Sequence, residues 1–187
     1  MAQTQIRIGG FGGQGVILSG IIIGRAAAIH GGLHATLIQS FGPEARGSSS
    51  SAELIVADEP ILYPYVKDVD MLVVLSQDAY ARFTPTLKKG GLLVTEADLV
   101  KLTPPVPVAK HFVVPATRLA EEIGRKIVLN IMTVGFFGAV SQLIPVEALE
   151  KAVQESVPSG TLDLNLRAFR KGYDAGLAAL AEANATV

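Results

Sequence analysis

Nothing limits the fold of this chain more than the glycine cluster near its start. A short β-type run at residues 5–9 (QIRIG) meets Gly10-Phe11-Gly12-Gly13-Gln14-Gly15 and passes at once into residues 16–29, rich in Ile, Leu and Ala. A strand-like run, a segment free to adopt positive φ and then a helical apolar stretch are the signature of strand, tight turn and helix. Gly31-Gly32 stops the helix, and residues 34–39 read as a second strand. The unit is β-α-β, with a crossover expected to be right-handed.

Residues 41–51 then read as a polar loop, and residues 52–57 as a third strand turned back by Asp58-Glu59-Pro60. Residues 70–76 (DMLVVLS) are nearly continuous in apolar character, the pattern of a parallel strand covered on both faces. A helix is expected over residues 77–87, ended by Lys88-Lys89-Gly90-Gly91 as a cationic last turn with a glycine stop. Residues 92–95 and 111–114 supply two more strands, joined through a proline-rich stretch at 103–107. From Thr117 onward helical pieces are expected near 117–125, 127–143, 146–156 and 162–178. Alternating strands and helices followed by helices alone imply an α/β fold: an open, mostly parallel sheet with helices on both faces and a helical C-terminal layer. One domain spanning residues 1–187 accounts for the pattern.

Composition narrows the chemistry. The 187 residues include no cysteine, which excludes thiolate-bound zinc, a conventional iron–sulfur cluster and a thiol nucleophile. Sixteen Lys+Arg against seventeen Asp+Glu leave a net charge of −1, with no basic excess for nucleic acid or a membrane surface. Charged residues make up 18% and apolar ones 49%. An ordinary soluble domain carries about 25% charge, so the balance points to a subunit buried among partners; the other reading is a compact monomer with a large core. The longest uncharged stretch, residues 127–146, contains Asn130, Thr133, Ser141, Gln142 and Pro145. Their polar groups are costly in lipid, so a helix buried in protein is expected rather than a membrane span. No basic cluster precedes the first apolar run, and the expected compartment is the cytoplasm.

The glycine cluster also fits G-x-G-x-x-G in the context that gives the motif meaning. Gly10 would permit the tight turn, Gly12 would let the backbone approach a phosphate, and Gly15 would let helix and strand pack closely. Helix-start N–H groups then face an anion, and the only charges before Glu44 are Arg7 and Arg25. A close-packed corner without ligand explains the same glycines. A dinucleotide fold would add an acidic residue at the end of the second strand, where this chain has Leu37-Ile38-Gln39-Ser40, and no arginine cluster suits an NADP phosphate. A phosphate-bearing ligand other than a nicotinamide fits better. Beyond that strand, Arg46 stands near Ser48-Ser49-Ser50-Ser51, a combination suited to an oxyanion. Pairing of Arg46 with Glu44 or Glu53 to fix the loop is the alternative. His30, His34 and His111 stand singly, so no catalytic residue is expected. Tyr63, Tyr65, Phe136 and Phe137 are read as packing or interface residues.

With these pieces in view the chain resembles the gamma subunits of the 2-oxoacid:acceptor oxidoreductases, thiamine-diphosphate enzymes that form acyl-CoA from 2-oxoacids and coenzyme A. The matching segments are GFGGQGVILSG at 10–20, QSFGPEARG at 39–47, Glu59-Pro60-Ile61 with Tyr63-Pro64, Pro115-Ala116-Thr117, Asn130 with Gly135, and residues 165–172. They cover nearly the whole chain in order, and the spelling of the glycine loop is nearest the 2-oxoglutarate branch. Where the family usually has glycine and a small residue after PEARG, this chain has Ser48-Ser49-Ser50-Ser51, which makes that loop more polar.

The resemblance implies a Rossmann-like domain that helps to position coenzyme A. It assigns that role to Gly10, Phe11, Gly12, Gly13, Gln14, Gly15, Gly42, Pro43, Glu44, Arg46, Gly47, Ser48 and Asn130. It also implies thiamine diphosphate with Mg, and iron–sulfur clusters, held by partner chains: alpha and beta (thiamine-binding) subunits and an iron–sulfur subunit. This sequence has no Gly-Asp-Gly with a following Asn for thiamine-bound magnesium. Ferredoxin, or a flavin/NAD subunit, would accept the electrons. Phenylglyoxylate, pyruvate and branched-chain or aryl 2-oxoacid enzymes share this subunit type. Two other classes stand beside this reading: a self-sufficient nicotinamide oxidoreductase and a ligand-free scaffold subunit.

Overall fold

The computed structural model describes residues 3–42, 47–103, 106, 110–124 and 126–185. Its frame is a sheet of β1 (Thr4–Phe11), β2 (His34–Phe41), β3 (Ser49–Ala57), β4 (Val69–Val74), β5 (Leu87–Glu96) and β6 (Lys110–Val114). The strands lie in the order β2-β3-β1-β4-β5-β6. β1, β4, β5 and β6 pair in parallel, whereas β3 is antiparallel to both β1 and β2. The sheet is thus mixed but mostly parallel, with β3 reversed.

Helices cover both faces. On one face, α1 (Val16–Arg25), continued by a π-helical turn Ala26–His30, packs with α3 (Ala116–Glu122), α4 (Leu129–Ser141), α5 (Val146–Ser156) and α6 (Leu162–Ala185). The core there joins Ile6, Ile8, Val73 and Val94 of the sheet to Ile22, Met132 and Phe137. The opposite face carries α2 (Gln77–Phe83), whose Ala79, Tyr80 and Phe83 pack on Leu72, Val74 and Leu93. Odd and even strand positions therefore feed separate cores, as a parallel sheet buried on both sides requires.

Three expectations need correction. The β-α-β unit is not closed by neighbours, because β3 lies between β1 and β2. Burial supplies the reason: all of β3 but Ser49 and Glu53 is buried, whereas β2 carries no fully buried residue and suits the sheet edge. Residues 41–51 are not simply a loop, since β2 runs to Phe41 and β3 starts at Ser49, pairing Ser40 with Ser51 and Phe41 with Ser50. Finally, the helix expected to reach residue 87 ends at Phe83. The turn Thr84–Thr86 holds Pro85, which cannot continue the helical ladder, and Lys88-Lys89-Gly90-Gly91 belong to β5. Gly90 takes φ 85° there, and the pairing of β4 with β5 is irregular between Val69 and Met71.

The uncharged segment becomes α4, whose residues Asn130 to Val140 are all buried against neighbouring helices. Among the described residues no helix is long and apolar enough to cross a membrane. α4 and α6 approach closely because glycines interlock across the contact: a methyl group at Gly135 would overlap the Phe169 carbonyl, and one at Gly172 the Met132 carbonyl. Alanine normally favours a helix over glycine by up to about 1 kcal/mol, but here backbone stands where the methyl would go. Gly172→Ala is therefore expected to destabilise the chain by about 1–3 kcal/mol in chemical denaturation. Gly160→Ala, at a site with nothing within 4 Å, should stay within about 0.5 kcal/mol of wild type.

Candidate functional site

The glycine motif forms the corner where β1 becomes α1. β1 ends at Phe11, Gln14 N–H donates to the Phe11 carbonyl (3.1 Å), and Gly15 caps the helix in the left-handed region at φ 73°. Gly13 is also left-handed, at φ 97°. Gly10 has a packing reason: a Cβ would meet the Gln14 Oε1 at 2.6 Å and Val16 at 2.9 Å. Gln14 uses that space as a clamp. Its Oε1 accepts from Phe11 N–H at 2.6 Å and its Nε2 donates to the Leu75 carbonyl at 2.7 Å, tying the loop to the carboxyl end of β4. Gly15 abuts Asn130, which a Cβ would meet at 2.6 Å, so α4 sits directly behind the start of α1.

A second turn closes on this corner. Gly12 N–H donates to the Ser48 carbonyl at 2.8 Å, and Gly47 N–H to the Gly12 carbonyl at 3.4 Å. The Gly12 amide is thus committed to the 47–48 turn, while the residue itself lies in the wall of the cleft described next. Between the corner, the first turns of α1 and the end of β2 lies an open cleft of about 860 Å³. Phe11, Ile17, Ile21 and Phe41 give it apolar walls, while Gly13, Gly15, Ser48 and Ser50 lie at its polar end.

Electrostatically that polar end suits an anion. The first-turn N–H groups of α1 have no intrahelical acceptor, Gly15 offers no side-chain cap, and the first turn contains no acidic residue. Asn130 is only 5% exposed and lies directly against Gly15 at the start of α1. Glu53, one candidate partner for Arg46, is engaged by Arg7 at 3.0 Å.

Of the residues expected in the site, Phe11, Gly12, Gly13, Gly15, Gly42 and Ser48 line the cleft. Gly10, Gln14, Gly47 and Asn130 build its frame. Pro43, Glu44 and Arg46 lie outside the described residues. The apolar wall was missed, although its signal is the pair Ile17 and Ile21, one helical turn apart and only partly buried. Glu96 was missed too: wholly buried, its carboxylate accepts from the N–H groups of Asp98 (2.7 Å), Leu99 (2.8 Å) and Thr117 (2.9 Å) and so anchors the start of α3. His111 stands 2.9 Å from the Thr95 hydroxyl, its pKa lowered by burial, and His30 meets Glu155 at 3.1 Å. Neither histidine lines the cleft.

Residues 5–175 match the family model described as pyruvate ferredoxin/flavodoxin oxidoreductase. Over 175 residues the chain is 46% identical to the 2-oxoglutarate synthase subunit KorC of Methanocaldococcus jannaschii, covering 92% of this chain and 93% of that one. Its fold is similar to the gamma subunit of the keto/oxoacid ferredoxin oxidoreductase of Geobacter sulfurreducens, with a TM-score of 0.86 and 36% identity, covering 96% and 99% of the two chains. It is also similar to the 2-oxoglutarate:ferredoxin oxidoreductase of Magnetococcus marinus, solved with 2-oxoglutarate, coenzyme A and succinyl-CoA bound. There the TM-score is 0.83 at 23% identity, and the match takes in 94% of this chain but 31% of that one.

The clamp makes a prediction of its own. Gln14→Ala strands the buried Leu75 carbonyl and should cost about 1–3 kcal/mol of stability. Gln14→Glu should not restore it, because a carboxylate oxygen would replace the amide donor facing that carbonyl. Thermal unfolding of the two variants beside wild type checks this.

Proposed function

The chain belongs to the pyruvate ferredoxin/flavodoxin oxidoreductase family, and from that premise we propose that it is the gamma subunit of a coenzyme A-acylating 2-oxoglutarate:ferredoxin oxidoreductase. The complex converts 2-oxoglutarate, coenzyme A and two oxidised ferredoxins into succinyl-CoA, CO2, a proton and two reduced ferredoxins. This chain supplies part of the coenzyme A site. The observation that carries the reading is the cleft at the start of α1, polar at one end and apolar along its walls, in a chain so like KorC.

Coenzyme A matches that cleft in kind. Its phosphates suit the uncapped N-terminus of α1, with Asn130 and the serines at 48 and 50 as neighbouring donors. Its adenine or pantetheine suits the wall of Phe11, Ile17, Ile21 and Phe41. A nicotinamide would need a ribose-binding carboxylate at the end of β2, where Gln39-Ser40-Phe41 stand. Thiamine diphosphate with Mg would supply the decarboxylation chemistry, and iron–sulfur clusters would carry the electrons. With no cysteine in the chain, and no group of three metal-ligating side chains among the described residues, both are assigned to companion subunits of a cytoplasmic complex. The work of this chain is to hold and orient coenzyme A.

Ile17→Glu, read alongside complex assembly, tests ligand binding at the start of α1. An acidic residue in the first turn favours α1 through its dipole but repels an anion bound at the same N–H groups. In the assembled complex the variant should raise the coenzyme A KM at least tenfold and leave the 2-oxoglutarate KM near its wild-type value. An unchanged coenzyme A KM in an intact complex would contradict the proposal.

A further inference from the structure

The segment Glu59-Pro60-Ile61-Leu62-Tyr63-Pro64-Tyr65 has no part in the cleft. It belongs to the connection between β3 and β4, at the amino-terminal edge of the parallel strands. β1 runs eight residues from that edge to the glycine corner, so the two surfaces lie on the order of 25 Å apart. The loop is anchored and stiff: Val66 is buried, Ile61 packs beside it on the core under α2, and Pro60 and Pro64 fix their own φ. What it presents outward is apolar. Leu62 is 94% exposed, Tyr63 56% and Tyr65 58%, with the two tyrosine rings 5.3 Å apart and the Lys67 ammonium 5.8 Å from the Tyr63 ring.

A hollow of about 430 Å³ lies beside the loop, lined by Ala28, Leu33, Thr36 and Ile61 among others. The Thr36 hydroxyl is buried and has no hydrogen-bond partner. The next residue after Ala28, Ile29, is 65% exposed. A leucine almost wholly in water, two tyrosines held by prolines and an orphaned hydroxyl are the makings of a docking surface. A stiff loop of this kind loses little conformational freedom when it is covered.

The fold itself indicates what covers it. In the Magnetococcus enzyme the same fold makes up 31% of a longer polypeptide, so there the domain lies beside unlike sequence of its own chain. A contact with such sequence joins this domain to something different from it, whereas a surface repeated on a second copy would be isologous. Glu59 and Asp68, both exposed, bracket the apolar residues and call for basic groups on the rim of the partner.

Resting on the proposed function, we infer that the surface of Ile29, Leu62, Tyr63 and Tyr65 docks the companion subunit equivalent to the remaining two thirds of that longer polypeptide. The active complex is thereby held together at the end of the sheet opposite the coenzyme A cleft. The test is to purify this chain and that companion, and to measure their association by sedimentation velocity with wild type and with Leu62→Asp. Leu62 is almost fully exposed, so the isolated variant should melt at the wild-type temperature. Its association with the companion should weaken at least a hundredfold, and Tyr63→Ala should weaken it in the same direction. Wild-type affinity in the Leu62→Asp chain overturns the inference. So does a wild-type homodimer that Leu62→Asp dissolves, which would make the surface a contact between copies. If the wild-type chain fails to bind the companion at all, the functional reading falls with the inference.

Discussion

The corner between β1 and α1 is the constraint on which the rest of the molecule depends. Because Gly10 has no side chain, the Gln14 amide can fold back and join Phe11 N–H to the Leu75 carbonyl. Because Gly15 has none, Asn130 can press against the first turn of α1. One side chain thus fixes β1, β4 and the glycine loop together, and one contact places α4 behind them. The 47–48 turn completes the enclosure through the Gly12 amide. Without these close approaches α1 could not begin where it does, beside the cleft.

The same corner explains a division of labour along the sheet. The cleft lies at the carboxyl edge of the parallel strands, where a helix dipole, hydroxyls and an apolar wall converge. The opposite edge carries the stiff loop with its exposed leucine and tyrosines. Between them, two separate cores and the interlocked α4 and α6 supply rigidity. Such an arrangement suits a subunit that positions a substrate for chemistry performed elsewhere, and the absence of cysteine fits that division.

Local pattern made much of this legible. The strand, turn and helix around Gly10–Gly15, the buried character of residues 127–146 and the long C-terminal helix all follow from periodicity and glycine placement. Strand order did not, because residues 52–57 look alike whether they pair with one neighbour or two; only the burial of β3 on both sides puts it between β1 and β2. Lys88-Lys89-Gly90-Gly91 misled because a cationic, glycine-ended run closes a helix as readily as it forms the exposed first residues of an inner strand, and Pro85 was the deciding residue. In the site, the motif located the corner but not the work of each residue. Gln14 and Gly12 are spent on internal hydrogen bonds, and the apolar wall of Ile17 and Ile21 becomes apparent only when β2 ends beside it.

If coenzyme A is held at the start of α1, as proposed, its first-turn N–H groups are shielded when the ligand binds. Amide hydrogen exchange on the assembled complex, with and without coenzyme A, reads those N–H groups directly. The ligand is expected to slow exchange in peptides spanning residues 13–21 and 47–50, while those covering α6 stay unchanged. Protection confined to the companion subunits, with residues 13–21 exchanging as fast with coenzyme A as without it, would contradict it.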